Sequence, residues 1–323
     1  ENFGKFWPAH TGSGFSSQCS SWPCGLAAAL HQNTTGYKDW SATFATWLRE
    51  HEQKLSSDTS AQIPENYTGL GVLDYENWFL LWENRFVESF YGPYIESWTE
   101  LVTLTNVPTF DVKFLKTVGF TPPSGTVGFG DLMTEEREEL LRVSYNHFIA
   151  EYTSVTLDTL HSLRPKVRWG IFAFPIFQET RHLDQTWNDH LAWLWDRVDL
   201  LLPAFYSTAY TTRTPSTAPC ADVRTPERTR DVYRRNIDEL ARLASAYPKP
   251  SRLSLPYVGW YSDCPNHAPS TLDVVFAVEY PGEVADPTDG VVVFGSIAPP
   301  FDDVHSLAHY LTSQWGPLIE KVC

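Results

Sequence analysis

Five short, near-continuous apolar runs set between long stretches of helical periodicity constrain this chain most. The runs are Gly69–Glu76, Val167–Phe174, Leu200–Tyr206, Leu253–Trp260 and Gly290–Ser296. A strand covered on both faces reads as an unbroken apolar segment, the habit of parallel sheets whose crossovers are helices. The intervening stretches supply those helices. Thr134 to Leu163 opens with a Thr suited to a cap and two glutamates where the helix dipole favours negative charge. Its Leu141, Tyr145, Phe148, Ile149, Tyr152 and Val155 recur at helical spacing as one apolar stripe. A second helix is predicted from Thr225-Pro226 to about Tyr247, and a third over about Trp40 to Leu55. Strand and helix alternating through one chain predict an α/β fold with a parallel sheet, and five or more units favour a closed barrel. The 323 residues show no internal repeat, low-complexity tract or long linker, so a single domain over 1–323 is expected. Pro- and Thr-rich segments at 208–227 and 262–270 follow strand ends, where barrel enzymes carry their active-site loops.

Composition excludes several functions. A formal net charge of −15 argues against nucleic-acid binding, which depends on neutralising phosphates with Lys and Arg. No run approaches the ~18 apolar residues of a membrane span. The chain holds 13 Trp, 15 Tyr and 19 Phe, rings that fill a core and also stack on the apolar faces of sugars. No cysteine pair has zinc-site spacing with nearby His, and neither a metal nor a cofactor is expected. The sequons Asn33-Thr34-Thr35 and Asn66-Tyr67-Thr68, few cysteines and a first residue that is Glu favour a processed, secreted or lumenal protein. Five cysteines leave one over, and Cys323 is the candidate for a free thiol or an external disulfide partner.

Asp74-Tyr75-Glu76 carries the sharpest chemical signal. Alternate residues of a strand share a face, so Asp74 and Glu76 are expected to point together into the barrel mouth. Two carboxyls that close cannot both ionise cheaply, and one is pushed to keep its proton near neutral pH. Cleavage of a glycosidic bond needs such an acid to protonate the departing oxygen. The pair ends an apolar strand and precedes Trp78-Phe-Leu-Leu-Trp82; Tyr75 and Trp78 are the adjacent candidate sugar-stacking rings.

Gly69-Leu-Gly-Val-Leu-Asp-Tyr-Glu-Asn-Trp78, with Trp82-Glu-Asn-Arg85, resembles the catalytic strand of the animal hyaluronidase family of glycoside hydrolases. The resemblance continues in order. It runs through Thr159-Leu160, Leu163-Arg-Pro165, Trp169-Gly170 and Phe174-Pro175, then Asn188-Asp189, Trp193-Leu-Trp195 and Leu202–Tyr206. Leu255-Pro-Tyr257, Gly290–Ser296 and Gly316-Pro317 complete it, over roughly residues 60–100 and 134–320. The resemblance implies a distorted (β/α) TIM-like barrel of about seven or eight strands. It also implies endo-hydrolysis of a β-linked N-acetylhexosamine polymer such as hyaluronan, in which the substrate's acetamido oxygen attacks the anomeric carbon with net retention. Glu76 is then the general acid and base, Asp74 orients the acetamido group, and Tyr206 hydrogen-bonds it. Asp263 aligns with a cleft aspartate of the family. Related readings are a hydrolase of chondroitin or a neutral chitin-like polymer, and a barrel that has lost catalysis and serves as a binding or structural extracellular protein.

Departures from the family are specific. The family usually has a tyrosine at Phe172 and a tryptophan at Phe294, both expected at the substrate. Phe177 and Val304 lie near positions of its disulfide cysteines, so the usual bridges cannot form unchanged; Cys19–Cys24 and Cys220–Cys264 are the pairings expected instead, with connectivity open. Glu1–Trp7 looks like the family's second strand, and Asn106-Val-Pro-Thr109 falls after the acids, within an insertion of about 101–133. Either that motif arises by chance, or Leu101–Phe110 fills the first-strand position, or an upstream segment was removed; Phe6 and Trp7 would then line the cleft. The charge of −15 sits awkwardly beside a polyanionic sugar. Arg164, Lys166 and Arg168 precede a strand whose opposite end should face substrate, so they do not resolve it. An acidic working pH or a neutral polymer would.

Overall fold

The computed structural model describes residues 40–74, 80–83, 112–175, 186–205, 226–250, 252–259, 289, 292–294, 304–310 and 312–313. Its helices are α1 (Trp40–Gln62), α2 (Val112–Val118), α3 (Thr134–Leu163), α4 (Thr186–Asp189), α5 (Ala192–Trp195), α6 (Pro226–Ala246) and α7 (Val304–Tyr310). Its strands are β1 (Leu70–Leu73), β2 (Arg168–Ile171), β3 (Leu200–Leu201), β4 (Ala204–Phe205), β5 (Leu253–Ser254), β6 (Tyr257–Gly259) and β7 (Val292–Phe294). Two compact units result: Glu1–Gly69 with Asp74–Val167, and Leu70–Leu73 with Arg168–Cys323.

The second unit is a parallel sheet. β1, β2, β3 and β5 pair side by side, as do β4, β6 and β7. Two prolines explain the division into two groups. Pro203 and Pro256 lack the N–H that a ladder needs, so the apolar runs Leu200–Tyr206 and Leu253–Trp260 each break at that residue. Each proline still accepts: Tyr257 N–H donates to Pro203 O at 2.8 Å, and Val292 N–H to Pro256 O at 2.8 Å. The alignment therefore carries across both breaks, in the order β1, β2, β3/β4, β5/β6, β7.

Asp199 stands where these strands begin. Its backbone N–H reaches Trp169 O at 2.7 Å, and Leu253 N–H donates to its carbonyl at 2.9 Å. Its carboxylate accepts from Trp169 N–H at 3.0 Å and pairs with Lys249 Nζ at 2.6 Å. Two glycines then let the strands close on large side chains. A Cβ at Gly71 would lie 2.2 Å from the indole of the buried Trp169, and one at Gly170 would lie 2.6 Å from Leu200 Cβ. Outside the sheet, Asn188 on α4 donates to the buried Glu239 of α6 at 2.9 Å, and Trp195 Nε1 donates to Asn188 O at 2.7 Å. Arg242 completes that network through Glu239 and Asp189.

The first unit is helical. Phe114 of α2 stacks on Phe148 of α3, with centroids 6.2 Å apart. The buried Arg164 donates to Ile63 O, Thr59 O and Leu163 O, tying the C-terminal ends of α1 and α3 together. α1 runs seven residues past the Leu55 expected from the sequence, because Leu55, Thr59 and Ile63 are all buried and prolong its packed face. α3 starts one residue earlier than a Thr134 cap would place it. Met133 is the cap residue, Thr134 is the first helical residue, and the Glu136 carboxylate accepts from Met133 N–H at 2.7 Å. The expected stripe is buried from Leu141 to Tyr152 but then moves to Thr156, Leu157 and Leu160, leaving Val155 half-buried.

Candidate active site

Two of the candidate residues, Asp74 and Phe172, follow directly on the C-terminal ends of β1 and β2. Leu200, Leu202, Leu255 and Tyr257 form a buried cluster on one face of the sheet, and Val72, Phe172, Leu253 and Val292 pack against it. Val72 is in β1, and Asp74 is the exposed residue just past that strand. Phe172 N–H donates to Leu73 O at 2.9 Å and extends the β1–β2 ladder up to the residue before Asp74.

Phe172 follows β2 directly and meets Tyr257 edge-on, with centroids 4.9 Å apart and planes at 72°. The chain then turns through Ala173, which holds a left-handed φ of 62° despite its Cβ. Phe172 is thus a half-buried part of the aromatic floor. Nothing in the sequence marks Tyr257 as a site residue, because there it reads as part of an apolar run. Only the pairing of Ala204 with Tyr257 and of Tyr257 with Val292 shows that it stands among the strand ends. Phe294 lies in β7 level with Gly259 of β6.

Glu76, Tyr75, Trp78, Tyr206, Asp263, Trp7, Asn33 and the cysteines Cys19, Cys24, Cys220, Cys264 and Cys323 lie outside the described residues. Asn66 is exposed in the turn before β1, as a glycan acceptor requires. Arg164, by contrast, is only 3 % exposed and is committed to helix carbonyls, which removes it as an aid to an anionic substrate.

No family model matches the chain. Among curated relatives, the hyaluronidase of Apis mellifera is 23% identical over 292 residues, which is 85% of this chain and 65% of the bee protein. Hyaluronidase conohyal-Cn1 of Conus consors is 27% identical over 145 residues, 44% of this chain and 26% of its own. A chondroitin hydrolase of Caenorhabditis elegans is 26% identical over 171 residues, 49% of this chain and 31% of its own. The chain is similar to hyaluronidases at low identity. It spans between 26% and 65% of the length of these three relatives.

The fold is similar as well. A crystal structure of bee venom hyaluronidase superposes with a TM-score of 0.63 at 19% identity, covering 84% of this chain and 78% of the bee chain. The same bee enzyme in complex with a hyaluronic acid tetramer gives 0.62. Several of the resembling blocks have structural work. Asn188, Asp189 and Trp195 tie α4 and α5 to α6, and Trp169 with Gly170 packs the sheet. Asp74 stands apart from them as an exposed carboxylate at a strand end.

Proposed function

We propose that the chain is a secreted endo-glycosidase that hydrolyses a β-linked N-acetylhexosamine polysaccharide of the hyaluronan or chondroitin type. The observation that supports this reading is the exposed Asp74 directly after β1, at the C-terminal end of a parallel strand, where barrel enzymes carry their catalytic groups. Glu76 stands two residues further along the sequence. The relatives named hyaluronidase and chondroitin hydrolase support the substrate class. The parallel strands, with helices between them, are read as part of a distorted (β/α) barrel of seven or eight strands, whose sites lie at strand C-terminal ends.

In the proposed reaction Glu76 donates its proton to the departing glycosidic oxygen while the substrate's acetamido oxygen bonds to the anomeric carbon. Asp74 accepts a hydrogen bond from the acetamido N–H and stabilises the positive charge that develops there; Tyr206 hydrogen-bonds the same group. Water then attacks the anomeric carbon from the face the leaving group vacated. Glu76 takes the water's proton, so configuration is retained and Glu76 is regenerated. Asp263, Tyr75, Trp78, Trp7 and Phe294 are assigned to the substrate cleft, and the exposed Asn66 to glycosylation. The test is reducing-end release from hyaluronan, chondroitin and chitin oligosaccharides between pH 3 and 8. Turnover of the first two but not chitin supports the reading, and no turnover of any contradicts it.

One observation favours a second reading, a carbohydrate-binding protein with weakened catalysis. Phe172 carries no hydroxyl where the family usually has tyrosine, and its ring is engaged with Tyr257. Hyaluronan binding without reducing-end release is the outcome that would select this alternative.

A further inference from the structure

We propose that His305 and His309 form a two-imidazole site for a first-row transition-metal dication, Cu²⁺, Ni²⁺ or Zn²⁺, on the exposed face of α7. Both side chains are exposed, and they stand in the first and last turns of the same seven-residue helix. Residues four apart in an α-helix lie one above the other, with Cβ atoms ~5–6 Å apart. A metal–imidazole bond is ~2.0–2.1 Å long, so one cation can take a nitrogen from each ring. Two histidines at this spacing on a helix are also how helical zinc sites supply two of their ligands. Ala308 and Thr312 continue the face at helical spacing; both are small and exposed. The Thr312 hydroxyl donates to Ala308 O at 2.8 Å and to His309 O at 3.1 Å, which holds the backbone around His309 where the helix ends.

The ligand type sets the class of metal. Imidazole nitrogen suits Cu²⁺, Ni²⁺ and Zn²⁺, whereas Mg²⁺ and Ca²⁺ take oxygen ligands. Among the described residues no group of three or more His, Cys, Asp and Glu is placed to hold a metal, so two imidazoles are the protein's share and water fills the other positions. Affinity is therefore modest, with Cu²⁺ held more tightly than Ni²⁺ or Zn²⁺. The helix itself gains most. An α-helix of seven residues is marginal on its own, and a cation bridging its two turns binds the helical form better than the open one. The net charge of −15 draws cations towards the chain in general, but only the paired imidazoles select among them. The site takes no part in the proposed hydrolysis and stands independently of it.

Amide hydrogen exchange of Val304–Tyr310 in the full chain, first stripped with a chelator, tests the site. NiCl2 is added to one sample and MgCl2 to another, and calorimetry supplies the Kd for Ni²⁺. With Ni²⁺ at about nine times its Kd, exchange through opening of α7 should slow by about ten-fold, and the chelator should reverse the slowing. Mg²⁺ at the same concentration should leave exchange unchanged. His305→Gln and His309→Gln each replace an exposed side chain, so both proteins should fold, and each should lose the slowing at that Ni²⁺ concentration. Unchanged exchange of α7 in the unmodified chain, or no calorimetric binding of Ni²⁺, overturns the proposal. So does slowing that survives in either variant, because the metal is then held by other ligands. Equal slowing by Mg²⁺ overturns it too, since that is a response to charge and not to imidazole.

Discussion

His51 shows how one buried side chain ties this fold to pH. Its ring lies 4.2 Å from Tyr152 of α3, and its Nε2 is 2.9 Å from Thr156 Oγ1. The Thr156 hydroxyl donates to Tyr152 O at 2.9 Å, which leaves its oxygen to accept from His51 Nε2–H. Burial, with a smaller contribution from Lys54 one turn along α1, pushes its pKa down from 6.5 to about 4. The unfolded chain binds this proton near pH 6.5 and the folded chain only near 4. Stability is therefore fully present above about 6.5, falls as pH drops towards 4, and levels off below; the total is about 3 kcal/mol. Urea unfolding at pH 7 and pH 4 should show that loss in the unmodified protein beyond any loss in His51→Gln, which keeps a donor but does not titrate. Equal losses in both proteins would contradict the assignment. An acid-active enzyme on this scaffold would work against the charging of His51.

At the scale of elements, Gly71 in β1 is required by its neighbour. The Trp169 indole against it is 2% exposed and cannot swing away, so Gly71→Ala should destabilise by about 2–3 kcal/mol. Gly130, where a Cβ would meet nothing within 4 Å, should tolerate alanine within about 0.5 kcal/mol. Denaturant midpoints compare the two directly, and equal effects would refute the packing argument. Elements of this kind were legible in the sequence where periodicity or apolar runs set them: α3, α6 and the strands all fall inside the expected segments. The breaks at Pro203 and Pro256 could be seen as prolines but not as breaks that preserve pairing, since that depends on carbonyls accepting from another strand. Of the site, Asp74 and Phe172 were legible as strand-end residues. The Phe172–Tyr257 contact and, elsewhere in the sheet, the Asp199–Lys249 pair were not, because they join residues 85 and 50 positions apart that only folding brings together.

At the scale of the whole molecule, the charge of −15 and the proposed polyanionic substrate oppose one another. Repulsion between them is screened by salt, with a Debye length of ~30 Å at 0.01 M and ~8 Å at 0.15 M. Raising ionic strength over that range at pH 7 should therefore increase kcat/KM on hyaluronan by a few-fold and leave any turnover of neutral chitin oligosaccharides unchanged. A fall on hyaluronan would mean that a local basic surface dominates encounter. The central claim concerns one carboxyl, and turnover by Glu76→Gln tests it most directly. Gln keeps the size and hydrogen bonding of Glu but cannot give up a proton. Measured by reducing-end release on a protein shown to be folded, kcat should fall by about 100-fold or more with KM little changed. Activity that survives the substitution would contradict the mechanism.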